Sequence, residues 1–424
     1  MFLQMEEEEK KQEQEFEALQ LPDAGIFNPA LPFAELAYHD AFGRLRVSEN
    51  FTLFESQMRY KDNDKWDVSI TGSGSTSYIT NESCLNMTLT TAANDEIVRE
   101  TKRVFTYQPG KSLLILTSFV FSPLKANLRQ RVGYFGSTNG VYLEADGTTV
   151  NIVLRSSNFS ERRIPQSQWN GHKFDGSTFF PRLLDLSKGN IFWCDIEWLG
   201  VGDVRCGFVL DGVTIAAHTF HNENIYDTTY MTTACLPIRY EIKNTGITLS
   251  TSTMKQICST VISEGGYQER STLNYGSTSI VTGQLKDTGA SGTLTPIISM
   301  KLRSDRLDAI VLPAQMDVFC TSNDILKWTL LLNPTSLSTT SFANYSTTTS
   351  NVMIDTSATT VSGGTIVGAG FIQQKGTADF VGIDNFNLQL GRTIAGTSDV
   401  LTLAVVSNGT NSKVGGGIGW YEIL

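Results

Sequence analysis

The chain is expected to fold as an all-β protein: an N-terminal helical and extended arm, a first β-sandwich and a second, C-terminal β-sandwich domain. Three observations carry this. From about Leu45 onward, short runs rich in Val, Ile, Thr, Phe and Tyr recur between clusters of Gly, Asn, Asp and Ser. No stretch there sustains the 3.6-residue apolar period of a helix packed on a core. Two segments, Val141–Ser157 and Ile191–Phe220, alternate apolar and polar residues on either side of a turn, the pattern of half-buried antiparallel hairpins.

At 424 residues the chain exceeds the size at which single cores stop growing, so two or three domains are expected. The organisation read from it is residues 1–40 as an N-terminal helix and extended anchoring arm, 41–270 as the first sandwich, 271–296 as a linker or long loop, and 297–424 as the C-terminal β domain.

In residues 1–20, Glu6 precedes Lys10 and Glu7 precedes Lys11 by four, the favourable order on a helix. Between Glu6 and Glu15 there is no apolar residue, so this helix has no face to bury. Its apolar residues sit at the ends, Phe2, Leu3 and Met5, then Phe16, Leu19 and Leu21. The segment is either an arm whose tip docks on a partner or a frayed tail. Residues 21–40 carry three prolines and no clear period, which biases them to an extended strap lying on another surface.

In the first sandwich, Asp146-Gly147 sits between two alternating segments, the strongest short-range hairpin signal. In Ile191–Phe220, Phe192, Cys194, Ile196 and Trp198 alternate with Trp193, Asp195, Glu197 and Leu199. Beyond Gly200-Val201-Gly202, Val204, Cys206, Phe208 and Leu210 continue the apolar set. A turn about Val201 places Ile196 near Cys206 and Cys194 near Phe208, with one face buried and the other wet. Val281–Pro296 is rich in Gly, Thr and Ser and reads as linker or loop. Thr335–Thr365 is mostly Ser and Thr but is interrupted by Phe342, Tyr345, Val352, Met353 and Ile354, so exposed loops and edge strands are expected there. Asn408-Gly409 joins the last two strand-like runs, which ties the terminus into a sheet.

Several function classes are disfavoured. The formal net charge is -10, and basic residues occur as singles and pairs such as Arg129/Arg131 and Arg162/Arg163, not as a phosphate-tracking stripe; no nucleic acid is expected. The longest apolar candidate, Ser112–Leu124, is too short and too rich in Ser and Thr to span a bilayer, so no membrane insertion is expected. Cys84, Cys194, Cys206, Cys235, Cys258 and Cys320 show no CxxC and no His-spaced pair, and read as small buried hydrophobes. His218 and His221 form the one HxxH, but residues three apart on a strand point to opposite faces, and no third ligand is specified. Asp62–Asp67 opens like a calcium loop yet lacks its sixth-position glycine and twelfth-position glutamate, and reads as a solvated turn. Asp195 and Glu197 share an outward strand face, whereas a glycosidase needs two carboxylates facing each other at a set separation. Gly415–Gly419 precedes a strand with no helix after it, which argues against a phosphate cradle. Trp193, Trp198, Trp328 and Trp420 read as core ahead of a sugar groove. No active site, cofactor or metal is expected.

Two segments carry a resemblance. Asp40–Gln57, DAFGRLRVSENFTLFESQ, resembles a leader found in structural proteins of tailed bacteriophages and some other large DNA viruses, just before a β domain. Arg131–Gly147 and Gly189–Gly212 are similar to concanavalin-like jelly rolls, with their repeated aromatic strand and DG turn. The resemblance implies a jelly-roll-like first sandwich and a non-enzymatic virion structural protein of a bacteriophage. Such a protein would be a homo-oligomer, a trimer by analogy, that decorates the capsid or belongs to the tail or fibre, and its partners would be itself and other virion proteins. Phe2, Leu3, Phe16 and Leu19 would contact the partner; Arg44 and Arg46, sharing one face, would pair either with a partner's carboxylates or within their own domain. The rival readings are a fibre module that binds host-surface glycan and a polysaccharide depolymerase.

Overall fold

The computed structural model describes residues 49–176, 183–268, 271–281, 283–381 and 388–423. Phe2, Leu3, Phe16, Leu19, Arg44 and Arg46, and with them the arm of residues 1–40, lie outside the described residues. Apart from one short 3-10 turn, Gln166–Gln168, the regular elements among the described residues are strands, in the all-β architecture expected.

The first sandwich packs two antiparallel sheets. One has the spatial order Val213–Phe220, Val204–Leu210, Asn190–Ile196, Ser112–Val120, Ser252–Glu264, Cys84–Leu89 and Ser75–Ile79, with Asn50–Gln57 also on Ser252–Glu264. The other runs Arg162–Pro165, Thr149–Arg155, Gly140–Asp146, Leu128–Phe135, Ile238–Asn244, Glu96–Thr101 and Trp66–Thr71. Alternation supplies the core: Ile115 and Phe119 from one sheet meet Val132, Leu143, Ile152 and Ile242 from the other. The Asp146-Gly147 hairpin forms as read, with Thr149 opposite Asp146.

The Asn190–Ile196 and Val204–Leu210 hairpin buries the expected set, Phe192, Cys194, Ile196, Val204, Cys206 and Phe208. Its register differs from the expectation. Cys194 lies directly opposite Cys206, with their sulfurs 3.9 Å apart, because the chain reverses about Gly200 instead of Val201. Leu199 and Gly200 both take positive φ there, and the amides of Val201 and Gly202 close on the Trp198 carbonyl. The outer face is not simply wet either, since Trp193 and Asp195 are buried on it. Trp193 lies over Gly207, where an added Cβ would stand 2.8 Å from the indole. Cys258 is exposed, against the expectation that all six cysteines are interior.

The outer face of the seven-stranded sheet carries a chain of ion pairs. Arg131 stands between Glu144 and Glu241 on the flanking strands, 2.7 and 3.1 Å away. Glu241 also meets Arg129 and Arg239, both at 3.0 Å, and Arg239 reaches Glu100 at 3.3 Å. Arg163 lies 3.4 Å from Glu144. The arginines lie over aromatic rings, Arg131 on Tyr142 at 5.2 Å and Arg239 on Phe135 at 5.5 Å, which helps screen this charge from water. Arg129, Arg131 and Arg163 thus gather on one face with Arg239, balanced by carboxylates, whereas Arg162 turns the other way, onto Asn222 and Phe220.

The second sandwich has a five-stranded sheet, Thr272–Ser277, Lys413–Ile423, Ile310–Cys320 and Thr377–Val381 in order, with Lys286–Asp287 also on Lys413–Ile423. Its six-stranded sheet runs Ala343–Asn344, Val352–Asp355, Leu294–Leu302, Val400–Ser407, Leu326–Leu332 and Thr365–Ile372. Met300, Val318, Leu403 and Trp420 fill the space between them. Residues 271–296, read as linker or long loop, contribute Thr272–Ser277, Lys286–Asp287 and the start of Leu294–Leu302. Asn408-Gly409 does join two strands, but they belong to different sheets, so the turn crosses the sandwich and makes no hairpin.

The two sandwiches meet along a dry seam. Val104 packs on Ile310 and Leu312, with Cys235, Tyr421 and Ile423 around them. Polar contacts flank it: Arg392 pairs with Glu100 at 2.8 Å, the Arg392 amide donates to the Lys102 carbonyl at 2.9 Å, and the Ile394 amide donates to Asp67 at 2.7 Å. Asp67, read as part of a solvated turn, is thus an interdomain acceptor, while Asp62 pairs with the buried Arg99. Gly391 lets the two backbones approach, since a Cβ there would lie 2.8 Å from the Lys102 carbonyl oxygen.

Candidate functional site

A cleft of about 350 Å³ opens on the outer face of the eight-stranded sheet, where Ser112–Val120 begins, Asn190–Ile196 ends and Val204–Leu210 begins. Tyr107, Gly110, Lys111 and Ser112 form one wall, and Asp195, Glu197, Asp203 and Arg205 the other. The antiparallel register builds the second wall, for Asp195 is directly opposite Arg205, and the Glu197 amide donates to the Asp203 carbonyl at 3.0 Å as the hairpin closes.

Asp195 is 7% exposed. Its Oδ2 pairs with Arg205, and its buried Oδ1 has no hydrogen-bond partner. Burial raises its carboxyl above the usual range; Arg205 opposes that, and Glu264 adds to it. Tyr107 is 6% exposed, and its hydroxyl finds no acceptor for its proton. Burial likewise pushes this phenol up. Lys111 is tied to Gln108 and to the Gly266 carbonyl, each at 3.1 Å, and Ser112 donates to Glu264 at 2.7 Å. The cleft therefore has a rigid lining, more acidic than basic, with one buried donor and one buried acceptor unmatched.

At its rim Asp203, His221 and Glu223 bring ligand-type atoms within 4.8 Å of one another. Burial and the neighbouring Glu223 raise the Asp203 carboxyl, while backbone hydrogen bonding and Asp203 lower that of Glu223; His221 Nδ1 lies 3.0 Å from Asp203. The HxxH pair does not converge as a ligand set. His218 is buried and accepts from the Asn170 amide at 3.3 Å, its basicity lowered to about 4 chiefly by burial. The Gly415–Gly419 run lies inside the strand Lys413–Ile423 and makes room for the side chains of Phe319 and Tyr275. Trp420 is fully buried, as read.

The sequence pointed to Asp195 and Glu197 as a shared face, and both line the cleft. It missed Tyr107, Lys111, Ser112, Asp203 and Arg205. Asp203 and Arg205 were legible in the hairpin alternation. The 107–112 wall enters through a strand that is distant in sequence and carried no local signal.

No protein-family model matches the chain, and no curated protein does. Among solved structures, it is similar to the CBM2 module of the evolved Dit of Lactobacillus casei BL23 phage J-1, at 6% identity and TM-score 0.37 over 53% of this chain and 100% of that one. It is similar to the carbohydrate recognition domain of Emp47p at 10% identity and TM-score 0.32, over 53% of this chain and 98% of that one. A conserved carbohydrate esterase of Shiga toxin-encoding bacteriophage phi24B matches at 12% identity and TM-score 0.31, over 51% and 100%. At these scores no functional argument rests on the likenesses.

Proposed function

We propose that the chain is a non-enzymatic structural protein of a bacteriophage particle, a homo-oligomer of threefold symmetry that decorates the capsid or belongs to the tail or fibre. Residues 1–40 anchor it to itself and to other virion proteins, and the two sandwiches form the exposed body. The observation that supports this reading is the seam: apolar contact through Val104, Ile310 and Leu312, flanked by the Arg392–Glu100 pair, joins both sandwiches into one body. The leader resemblance at Asp40–Gln57 points the same way.

A second reading, adhesion to host-surface glycan, is favoured by the cleft. In it Asp195 is committed to Arg205 and Ser112 to Glu264, which suits holding a ligand better than moving protons through it. Immunogold labelling of purified particles tests the main reading. Label at regular positions on the capsid or tail is expected; a protein abundant in infected cells but missing from purified particles would overturn it.

A further inference from the structure

We propose that residues 43–48, which lead into the first strand, fold back over the end of their own eight-stranded sheet and seat Arg44 and Arg46 in the acidic cleft between Tyr107–Ser112 and Asp195–Arg205. The proposal goes beyond both readings of the function: it fixes where the arm leaves the body, and it gives the cleft an occupant other than glycan. Two observations carry it, the charge of the cleft and the place where the described chain begins. Asp195, Glu197 and Asp203 line the cleft, Glu223 stands at its rim beside Asp203 and His221, and Glu264 lies behind Ser112, against Lys111 and Arg205 as the cations of its walls. Arg205 is engaged by Asp195, and Lys111 by Gln108 and the Gly266 carbonyl. Glu197 and Glu223 are exposed, and among the described residues neither is in an ion pair with a lysine or arginine.

The reach follows from the sheet register. Asn50 is opposite Glu264, Glu264 is opposite Ser112, Leu113 next to it is opposite Ile196, and Ile196 is opposite Val204. The start of the first strand therefore lies at the same end of the sheet as the cleft. The Glu49 carbonyl oxygen sits 3.7 Å from where a Cβ added at Gly266 would stand, and Gly266 in turn accepts from Lys111 in the cleft wall at 3.1 Å. With strands about 4.8 Å apart, Glu197 is about 14 Å across the sheet from Asn50 and Asp203 about 19 Å. Extended chain covers at most about 3.5 Å per residue, so Arg46, four residues before Asn50, spans about 14 Å and Arg44, six before it, about 21 Å, each before its side chain is counted. The chain's own arginines are the ones this geometry brings within reach.

A guanidinium suits these acceptors. Ionised carboxylates only accept, and the planar fork of N–H groups on an arginine faces two of them at once. Asp203 and Glu223 are in hydrogen-bonding contact with each other, two carboxyl groups that a shared guanidinium would let ionise together. Arg44 and Arg46 are two apart, which puts both on one face of an extended segment, so the pair can enter the cleft side by side.

Trypsin, which cleaves after Arg44 and Arg46, reads the docking on the full chain. Cleavage there is expected to be about tenfold slower than in a synthetic peptide of residues 36–50, since proteolysis tracks the open population. The double variant Glu197→Gln and Glu223→Gln, at exposed positions, should speed it about threefold or more while both sandwiches stay folded. Carbodiimide coupling of Arg46→Lys then identifies the partner. A bond from residue 46 to Glu197, Asp203 or Glu223 is expected, and in a co-refolded mixture of isotopically light and heavy chains it should join only peptides of the same label. Cleavage as fast as in the peptide, no acceleration in the glutamine variant, or no crosslink into the cleft would each overturn the proposal. Crosslinks between light and heavy peptides would overturn it as well, by assigning the cleft to the arm of a second copy.

Discussion

Arg131→Met is expected to cost the first sandwich about 3–5 kcal/mol, the loss seen when one partner of a buried ion pair is removed and the other stays buried. Glu144 is fully buried and Glu241 nearly so, and Arg131 is the cation they share. Methionine keeps much of the packing on Tyr142 and removes only the charge and its donors. Arg131→Lys should fall between the two, because an ammonium cannot span both carboxylates as a planar guanidinium does. With both sandwiches unfolding together, the methionine variant should melt roughly 4–6 °C lower.

The same network sets the acid limit of the fold. Burial alone would raise Glu241, but Arg131, Arg239 and Arg129 outweigh it and hold its carboxyl below 4.5. Burial would also raise Glu161, yet Arg155 and Arg163 hold it at about 2. A carboxylate depressed in the folded state stabilises the fold above its unfolded value and loses that contribution as pH falls through its folded one. Stability should therefore decline from about pH 4.5 toward about 2, and Arg131→Met should blunt the Glu241 part of that decline. A loss near zero at pH 7, or an identical acid profile in the variant, would mean that the network is an ordinary solvated surface.

The second large effect is expected at the seam. Leu312 is fully buried between the sandwiches, beside Val104 and Ile310, and Leu312→Ala should cost about 2–5 kcal/mol through lost burial and the cavity left behind. Its diagnostic consequence is the loss of coupling. The wild-type chain should unfold in one calorimetric transition, and Leu312→Ala should separate it into two, with faster amide exchange at Lys102 and Phe105. A single, unshifted transition would show that the two sandwiches are not held as one body.

Much of the fold could be read from the sequence because its signals are local. The Asp146-Gly147 turn and the alternating Phe192–Ile196 and Val204–Phe208 runs lie within one hairpin each, so period and turn chemistry suffice. The Cys194–Cys206 register was missed by two residues because the reversal depends on the backbone of Leu199 and Gly200, not on the centre of the glycine run. Asn408-Gly409 marks a change of direction but cannot say which sheet receives the next strand. The ion-pair chain was invisible for another reason: Arg131 and Glu241 are 110 residues apart and meet only because their strands are neighbours in the sheet. The same holds for the cleft, where Asp195 and Glu197 could be paired on sight but Tyr107 arrives from a distant strand end. The partner contacts read at Phe2, Leu3, Phe16, Leu19, Arg44 and Arg46 lie outside the described residues, so solution binding has to address them.

The measurement that bears most directly on a virion role is rebinding to particles stripped of this protein, with light scattering after size exclusion on the full chain and on a chain starting at Asp40. The account predicts a stable oligomer for the full chain that rebinds particles, and a truncated chain that stays folded but does not rebind. Equal rebinding by both would contradict an anchoring arm, and rebinding by neither would contradict the virion role itself.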